Sequence, residues 1–216
     1  MIVIAVHTDA VREESMFVQA MAIVSQDRRE RVRSCKCADD RARSLCAGLA
    51  LGACLHRVGF PTDIPVIRDV HGKPRFSHDS PWYFSLSHSG RYGICALSEA
   101  PVGVDIQECR PIRTETLANR YFTADESEYL MSLSPEKRDM MFYRLWTAKE
   151  SVLKAEGVGL SGLSQVPIVC GETLEAPTPW RLQEYTLPDH AVTVCGTEPF
   201  PEELMVISSC DSVLLR

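Results

Sequence analysis

The stretch from residue 102 to residue 160 constrains the fold more than any other part of this chain. It opens with VGVDIQE, and this alternation predicts a strand whose Val102, Val104 and Ile106 side chains share one face. It closes on a predicted helix, residues 135–156, with one apolar stripe: Met141, Leu145, Ala148, Val152 and Ala155. A long helix with an apolar stripe, preceded by a short strand, indicates a mixed α+β domain in which the helix covers a sheet.

The polar side chains of these two elements lie opposite their apolar faces. Asp105 and Gln107 share the other face of the strand, and Glu150 and Lys154 lie on the far side of the helix. Two plain interpretations apply: a solvated face of an edge strand, and a surface ion pair worth about 0.3–0.5 kcal/mol. A strand carboxylate with a helix carboxylate and a lysine is also what a magnesium–pyrophosphate site needs.

The rest of the chain predicts two similar halves. Helices are expected near residues 13–24, 39–57, 114–121 and 124–132. Strands are expected near residues 2–6, 64–68, 83–86, 92–97, 165–169, 180–186, 191–195 and 204–208. Because Pro101 opens the second half, we divide the chain into subdomains 1–101 and 102–216. Each would be a small, mostly antiparallel sheet with a long helix, and a cleft is expected between them.

Composition narrows the function classes. The chain has 216 residues and a net charge of −6, which argues against nucleic-acid or anionic-membrane binding. No run approaches the roughly 18 apolar residues of a membrane span, and the N-terminus does not read as a secretory signal. We therefore expect a cytoplasmic protein. The nine cysteines include no CxxC pair, which favours reduced thiols over a zinc site.

Three further motifs are unremarkable when each is taken alone. The arginines at 28, 29, 31 and 33 are typical of a solvated charge run. Gly72-Lys73-Pro74 and Ser87-His88-Ser89-Gly90 are typical of turns.

Taken in order, the motifs resemble a known family. Gly72-Lys73-Pro74, FSLSHSG, VGVDIQ, RYFTADE and WTAKESVLKAEGVGL are similar to those of the 4′-phosphopantetheinyl transferases, in particular the larger, Sfp-type group. The resemblance runs from about residue 25 to residue 160. It implies two subdomains related by pseudo-two-fold symmetry, a monomer, and coenzyme A with Mg²⁺ in the cleft. It also implies transfer of phosphopantetheine to a serine of an acyl or peptidyl carrier protein, with release of 3′,5′-ADP.

The resemblance assigns roles to residues of the second half. Asp105 and Glu150 match the carboxylates that hold the metal, and Lys154 matches a lysine on the pyrophosphate. Gln107 is a departure, because many members carry Glu there; its carbonyl can ligate Mg²⁺ without adding charge. Glu126 matches an acid proposed to assist the metal or to take the serine proton. The general base stays open between Glu126, Glu150 and a metal-held water.

The resemblance also places coenzyme A against the first half. The residues assigned to its phosphates and adenosine end are Arg28, Arg31, Arg43, Lys73, Ser87 and His88, together with Lys154. Arginine suits such a role because its guanidinium donates two parallel hydrogen bonds to a phosphate. The carrier, whose helices are typically acidic, would dock on basic and apolar groups near the site.

Two other classes of protein remain as alternatives. One is a non-catalytic module that binds coenzyme A or the carrier, which is disfavoured because the catalytic Asp, Glu and Lys are all present. The other is a different Mg²⁺-dependent phosphoryl-transfer enzyme, against which the sequence lacks a Walker-type P-loop.

Overall fold

A computed structural model describes residues 1–77 and 80–209 of the chain. The fold is α+β, and the described chain forms two compact units. The first contains residues 1–100 together with the tail from Glu198, and the second is Pro101–Thr197. No helix in the described ranges combines the length and the apolarity needed to cross a bilayer.

The first unit is a four-stranded sheet and a hairpin covered by helices. Its strands are β1 (Ile2–His7), β2 (Val66–Arg68), β3 (Pro74–Phe76), β4 (Tyr83–Ser89), β5 (Tyr92–Ser98) and β9 (Met205–Ile207). Its helices are α1 (Glu14–Ile23), α2 (Gln26–Ser34) and α3 (Ala38–Arg57), with a 3₁₀ turn at Thr8–Val11. The sheet order is β4-β5-β1-β9, antiparallel except for the parallel β1–β9 pair, and β2 with β3 forms the separate hairpin.

Helix α3 lies close against the sheet because β5 has a glycine beneath it. A Cβ added at Gly93 would lie 2.1 Å from the backbone nitrogen of Ala47. No larger residue fits there unless the helix moves. The core around this contact contains Ile4, Leu45, Leu49 and other buried apolar side chains.

The second unit repeats this plan with a three-stranded antiparallel sheet. Its strands are β6 (Val102–Glu108), β7 (Arg181–Leu187) and β8 (His190–Gly196), in the order β6-β8-β7. Its helices are α4 (Thr114–Tyr121), α5 (Ala124–Ser132) and α6 (Pro135–Glu156), followed by a 3₁₀ segment at Leu160–Gln165. The predicted stripe of α6 is buried throughout, and Gly157 ends the helix in the left-handed conformation (φ 76°).

Three sequence predictions differ from the structure. The tail was assigned to the second half, but β9 pairs with β1 and is part of the first unit. The predicted strand near 165–169 is instead the end of the 3₁₀ segment and an isolated bridge between Val169 and Glu175. Ser87, His88 and Ser89, which are typical of a turn, belong to strand β4, and the turn begins only at Gly90.

The arginine run lies on helix α2. Ser25 caps this helix by accepting a hydrogen bond from the Arg28 backbone N–H.

Candidate functional site

Helix α6 reaches strand β6 because residue 103 is glycine. A Cβ at Gly103 would lie 1.8 Å from the backbone oxygen of Ser151, so any larger residue would push the helix away. The close approach brings Lys154 Nζ to 3.1 Å from the Val104 backbone oxygen and 2.6 Å from Asp105 Oδ1. Lys154 therefore donates across to the strand, which differs from the simple i,i+4 surface pair with Glu150 that the helix spacing allowed.

The two predicted carboxylates are buried. Asp105 is 2% exposed and Glu150 is 5% exposed, so the interpretation of Asp105 as part of a solvated edge face is wrong. Burial, and secondarily the negative charge of Asp105, raise the pKa of Glu150 to about 7, while Lys154 acts in the opposite direction. Two buried acids, Asp105 and Glu150, thus lie near a single lysine, Lys154. This arrangement favours the binding of a further cation.

Gln107 lies beside Asp105, as alternation along β6 predicted. Its Nε2 donates to Asp105 Oδ2 at 3.3 Å, so the two Asp105 oxygens accept from an amide and an ammonium. Across residues 1–77 and 80–209, no cluster of three or more His, Cys, Asp or Glu side chains is arranged to hold a metal. The assignment of Asp105, Glu150 and the Gln107 carbonyl as metal ligands stays a prediction.

A buried hydroxyl pair lies between the same helix and sheet. Thr193 is opposite Asp105 in the β6–β8 register, and its Oγ1 is 2.8 Å from Thr147 Oγ1. Both threonines are fully buried. Neither threonine is recognisable from the sequence, because a threonine inside a helix or strand gives no signal until the register is known.

Lys149, the unassigned lysine of the WTAKES motif, is completely buried in a closed polar network. Its Nζ contacts Glu126 Oε2 at 2.8 Å and donates to the backbone oxygens of Leu163 (3.0 Å) and Val166 (2.5 Å). The sequence carries a signal for this burial, since Lys149 lies four residues after Leu145 on the apolar stripe.

Glu126 uses both carboxylate oxygens within this network. Oε2 accepts from the Thr123 backbone N–H at 2.8 Å in a capping box, and Oε1 accepts from the Ile168 N–H at 2.8 Å. These contacts join α5, α6 and the segment after α6. They are the contacts of a structural group, and the catalytic role assigned to Glu126 stays a prediction.

In the first unit, Arg28 is less accessible than predicted. Its side chain is 6% exposed, and NH1 donates to Ser44 Oγ at 3.2 Å and to the Ser44 backbone oxygen at 3.4 Å. Its Cγ would lie 2.5 Å from a Cβ added at Gly48, so the side chain packs directly on α3. Burial is the main cause that lowers the pKa of Arg28 to about 10. Ser44, which no sequence motif marks, lies beside it.

The N-terminal end of α3 meets the turn between β4 and β5. Arg43 NH1 donates to the Gly90 backbone oxygen at 3.3 Å, and NH2 pairs with Asp40. Hydrogen bonds from Cys37 and Arg43 lower the pKa of Asp40, and the charge of His88 contributes. The structure thus brings His88 and Arg43 together, with Ser87 one residue before His88 on β4.

Arg31 and Lys73 belong to the neighbouring surface of the same unit. Arg31 is exposed on α2, and its charge acts on Arg28. Lys73 lies in the turn between β2 and β3, where its backbone N–H donates to Asp69 Oδ1 at 2.9 Å. The predicted basic residues thus lie in two groups of the first unit. Arg28, Arg31 and the Lys73 turn lie at α2, and Arg43 with His88 lies near the start of α3.

A carboxylate pair with a lysine, as in the second unit, is typical of sites that hold a divalent cation beside a diphosphate, and arginines such as those of the first unit suit phosphate groups. Two family models match consecutive parts of the chain. The model described as 4′-phosphopantetheinyl transferase, N-terminal, matches residues 12–100, and the 4′-phosphopantetheinyl transferase superfamily model matches residues 101–195.

Curated relatives agree with these matches. The chain is 31% identical over 200 residues to the 4′-phosphopantetheinyl transferase Sfp of Bacillus subtilis (strain 168), which covers 87% of this chain and 89% of that protein. It is 37% identical over 155 residues to the 4′-phosphopantetheinyl transferase psf-1 of Bacillus pumilus, covering 68% of this chain and 66% of that one. This chain belongs to the 4′-phosphopantetheinyl transferase family.

Solved structures add a partial similarity. A holo-(acyl-carrier-protein) synthase from Bacillus anthracis str. Ames, in complex with CoA (3′,5′-ADP), is 19% identical. Its match covers 44% of this chain and 93% of that one, with a TM-score of 0.37. A similarity of this extent carries no functional inference.

Proposed function

We propose that this chain transfers the 4′-phosphopantetheine group of coenzyme A to a serine hydroxyl of an acyl or peptidyl carrier protein, with Mg²⁺ as the metal. The observation that carries the proposal is the contact of Lys154 with Asp105 beside the buried Glu150, in a member of this family. In the reaction, the serine oxygen bonds to the phosphorus that bears the pantetheine arm. The bond from that phosphorus to the bridging oxygen breaks, and 3′,5′-ADP leaves.

The residues of the second unit fit a magnesium ion. Asp105, Glu150 and the Gln107 carbonyl offer hard oxygen ligands, which Mg²⁺ prefers. The raised pKa of Glu150 is a sign of fit, because a nearby cation would offset both the burial of the carboxylate and its repulsion from Asp105. When bound, Mg²⁺ would supply charge neutralisation for the diphosphate.

The side chains have separable tasks around the diphosphate. Lys154 lies 2.6 Å from Asp105, so its ammonium can orient a diphosphate oxygen next to the carboxylate that holds it in place. Glu126 is engaged on both oxygens, so the acceptor of the serine proton that we favour is Glu150 or a water molecule.

The basic residues of the first unit would hold the 3′-phosphate and adenosine end of coenzyme A. Arg31, Arg43, Lys73 and His88 supply cationic or N–H donors, and Arg28 with Ser44 forms the buried side of the cluster. Charge-assisted hydrogen bonds of this kind contribute about 1.5–3 kcal/mol each when formed. The cluster also gives a reason for concentrated positive charge in a chain whose net charge is −6.

The experiment that tests the function is a transfer assay read by intact mass. The protein is mixed with coenzyme A, Mg²⁺ and an apo carrier of either the acyl or the peptidyl type. We expect the carrier to gain one phosphopantetheine group, and Asp105→Ala to abolish the gain while the protein remains folded by thermal melting. Asp125→Ala, at an exposed acid of the same unit, is the matched control. An unmodified carrier of both types with wild-type protein would refute the proposal.

Three properties accompany this proposal. We propose a monomer acting in the cytoplasm, and a carrier that docks through its acidic helices near the modified serine. Light scattering of the purified protein at micromolar concentration tests the first property. Docking of the acidic carrier is tested by salt. The KM for the carrier should rise with salt concentration, whereas the KM for a short serine peptide that accepts phosphopantetheine should stay unchanged.

A further inference from the structure

Arg68, at the end of β2, binds two separate parts of the first unit at once. Its Nε donates to Asp27 Oδ1 at 3.1 Å and its NH2 donates to Asp27 Oδ2 at 2.9 Å, which is a two-pronged ion pair. Its NH1 donates to the Gly72 backbone oxygen at 3.0 Å. The guanidinium therefore ties helix α2, through Asp27, to the turn that carries Lys73.

The turn itself is internally braced. Asp69 Oδ1 accepts from the backbone N–H groups of His71 and Lys73, both at 2.9 Å. The Gly72 N–H donates to the Asp69 backbone oxygen at 3.0 Å, and Gly72 has φ +82°, a conformation that favours glycine. Because these hydrogen bonds join residues 69 to 73, an anchor at Gly72 also restrains the backbone position of Lys73.

Asp27 is adjacent in sequence to the cationic residues of α2. It precedes Arg28 directly and lies one helical turn before Arg31. After burial, the strongest influence on the pKa of Arg28 is Asp27, which raises it, while the charges of Arg31 and Arg68 lower it. The guanidinium groups of Arg31 and Arg68 therefore lie close enough to repel that of Arg28, and a bound anion beside them would offset this repulsion.

We propose that the Asp27–Arg68 pair is a positioning device: it holds the Lys73 turn against α2, so that Lys73 and the α2 arginines face the same phosphate. This inference rests on the proposed function. It explains why a carboxylate lies where simple electrostatics would oppose an anion. The pair is two-pronged and partly exposed, with side-chain exposures of 33% and 20%, and its two parallel hydrogen bonds fix the position of Arg68 better than a single surface ion pair would.

The direction in which Asp27→Asn changes the affinity for an anionic ligand tests the proposal. Asp27→Asn removes a negative charge beside an anion site, so electrostatics alone predicts tighter binding of an anionic ligand. The positioning role predicts the reverse, because Asn cannot accept the two charge-assisted bonds. We expect the Kd for 3′,5′-ADP, measured by calorimetry, to rise about fivefold to tenfold, in line with the cost of misplacing a bound phosphate. Glu30→Gln, the same charge change on an exposed position of α2, is the control and should leave the Kd within twofold or lower it.

Two further variants keep the test decisive. Exchanging the partners, with Asp27→Arg and Arg68→Asp together, should recover part of the affinity that either single change loses. Arg68→Lys keeps the charge but loses the fork, and it should weaken binding as well. If Asp27→Asn melts early, the exchanged pair decides, because direct phosphate binding by Arg68 predicts no recovery of affinity in it. With coenzyme A as substrate, Asp27→Asn should raise the KM for coenzyme A and leave kcat at saturation unchanged.

The outcomes separate the inference from the function it rests on. A Kd for the Asp27→Asn variant equal to or below that of the wild type overturns the positioning role and leaves the proposed function intact. A wild-type protein that modifies the carrier but does not bind 3′,5′-ADP overturns the positioning role alone, whereas one that leaves both types of apo carrier unmodified overturns the proposed function as well. Direct phosphate binding by Arg68, rather than positioning, would appear as weakened binding in Arg68→Lys with no weakening in Asp27→Asn.

Discussion

At the scale of single residues, Glu150 makes the stability of the metal-free protein depend on pH. Its pKa is about 7 in the folded protein against an ordinary value of 4.5, so the folded state binds the proton more tightly than the unfolded chain does. The contribution of Glu150 to stability is therefore favourable below about pH 4.5 and is lost as the pH rises toward 7.

We expect Glu150→Gln to remove this dependence. In urea unfolding with a metal chelator, the wild type should lose free energy of unfolding between pH 5 and pH 8, by an amount on the order of 3 kcal/mol from this residue. The variant should show a correspondingly smaller loss. Glu128→Gln, an exposed acid of the same unit, should behave as the wild type. Parallel pH curves for Glu150→Gln and the wild type would show that Glu150 ionises normally.

Gln107→Glu should tighten magnesium binding. A third carboxylate adds attraction for a hard cation, and it also replaces the Nε2 donor to Asp105 Oδ2 with a repelling charge in the metal-free protein. We expect a lower melting temperature without Mg²⁺, a larger rise on adding it, and a lower Mg²⁺ concentration for half-maximal transfer. Asp105→Asn should shift that concentration upward. If Gln107→Glu leaves both readouts unchanged while Asp105→Asn moves them, position 107 lies outside the metal shell.

Substitutions of Arg28 and Arg31 should have different effects on stability, although the sequence predicts the same ligand-binding role for both residues. Arg28 packs on Gly48 and bonds Ser44, so Arg28→Ala should lower the free energy of unfolding by about 1–3 kcal/mol in addition to raising the KM for coenzyme A. Arg31 is exposed, so Arg31→Ala should raise that KM and leave stability within about 0.5 kcal/mol. Dephospho-coenzyme A, which lacks the 3′-phosphate, should be insensitive to Arg31→Ala. Equal losses with both substrates would contradict the assignment.

At the scale of elements, the close contact between β6 and α6 positions Lys154 beside Asp105. Gly103→Ala would put a Cβ 1.8 Å from the Ser151 oxygen, so the helix must shift and take Lys154 and Glu150 with it. We expect loss of transfer together with a lower melting temperature. Gly52 in α3 has no atom within 4 Å of an added Cβ, so Gly52→Ala should keep activity and stabilise the helix by up to about 1 kcal/mol. Normal transfer by Gly103→Ala would show that this close approach is dispensable.

The buried pair of Lys149 and Glu126 should behave as one structural unit. Lys149→Met or Glu126→Gln alone leaves the partner charge buried and unpaired, which should lower the free energy of unfolding by about 3–5 kcal/mol. Removing both charges together should cost less than the sum of the two single changes. The same cycle tests the catalytic prediction for Glu126. A general base would leave kcat equally low in Glu126→Gln and in the double variant, whereas a structural role predicts that part of kcat returns in the double variant.

The sequence predicted those helices and strands whose own apolar residues recur at a regular spacing. The α6 stripe and the alternation of β6 gave both elements close to their bounds, and with them the placement of Asp105, Glu150 and Lys154. Helix α2 could not be recognised in this way because most of its residues are polar and only Arg28 and Val32 are buried. The burial of Asp105 also escaped the pattern, since alternation separates two faces but does not say that a helix covers the polar one.

At the scale of the whole molecule, sequence order is a poor guide to which unit a short terminal strand joins. The tail after Thr197 follows β8 directly, and its local pattern predicts a strand without naming a partner. The partner is decided by long-range pairing: Ile4, Ala5 and Val6 of β1 lie in register with Met205, Val206 and Ile207. The central strand β1 thus gains a parallel neighbour from the opposite end of the described chain, and Ile207 enters the core of the first unit.

Ile207→Ala should therefore weaken the first unit rather than the second. Removing a buried isoleucine side chain costs about 2–5 kcal/mol, and the loss should fall on the sheet that β9 completes. By hydrogen exchange with mass spectrometry, we expect faster exchange in peptides covering β1 and β5, with β6 and β8 unchanged. Leu187→Ala in β7, a buried residue of the second unit, is the matched control and should produce the reverse pattern. Faster exchange in β7 and β8 on mutating Ile207 would instead assign the tail to the second unit, as the sequence alone had suggested.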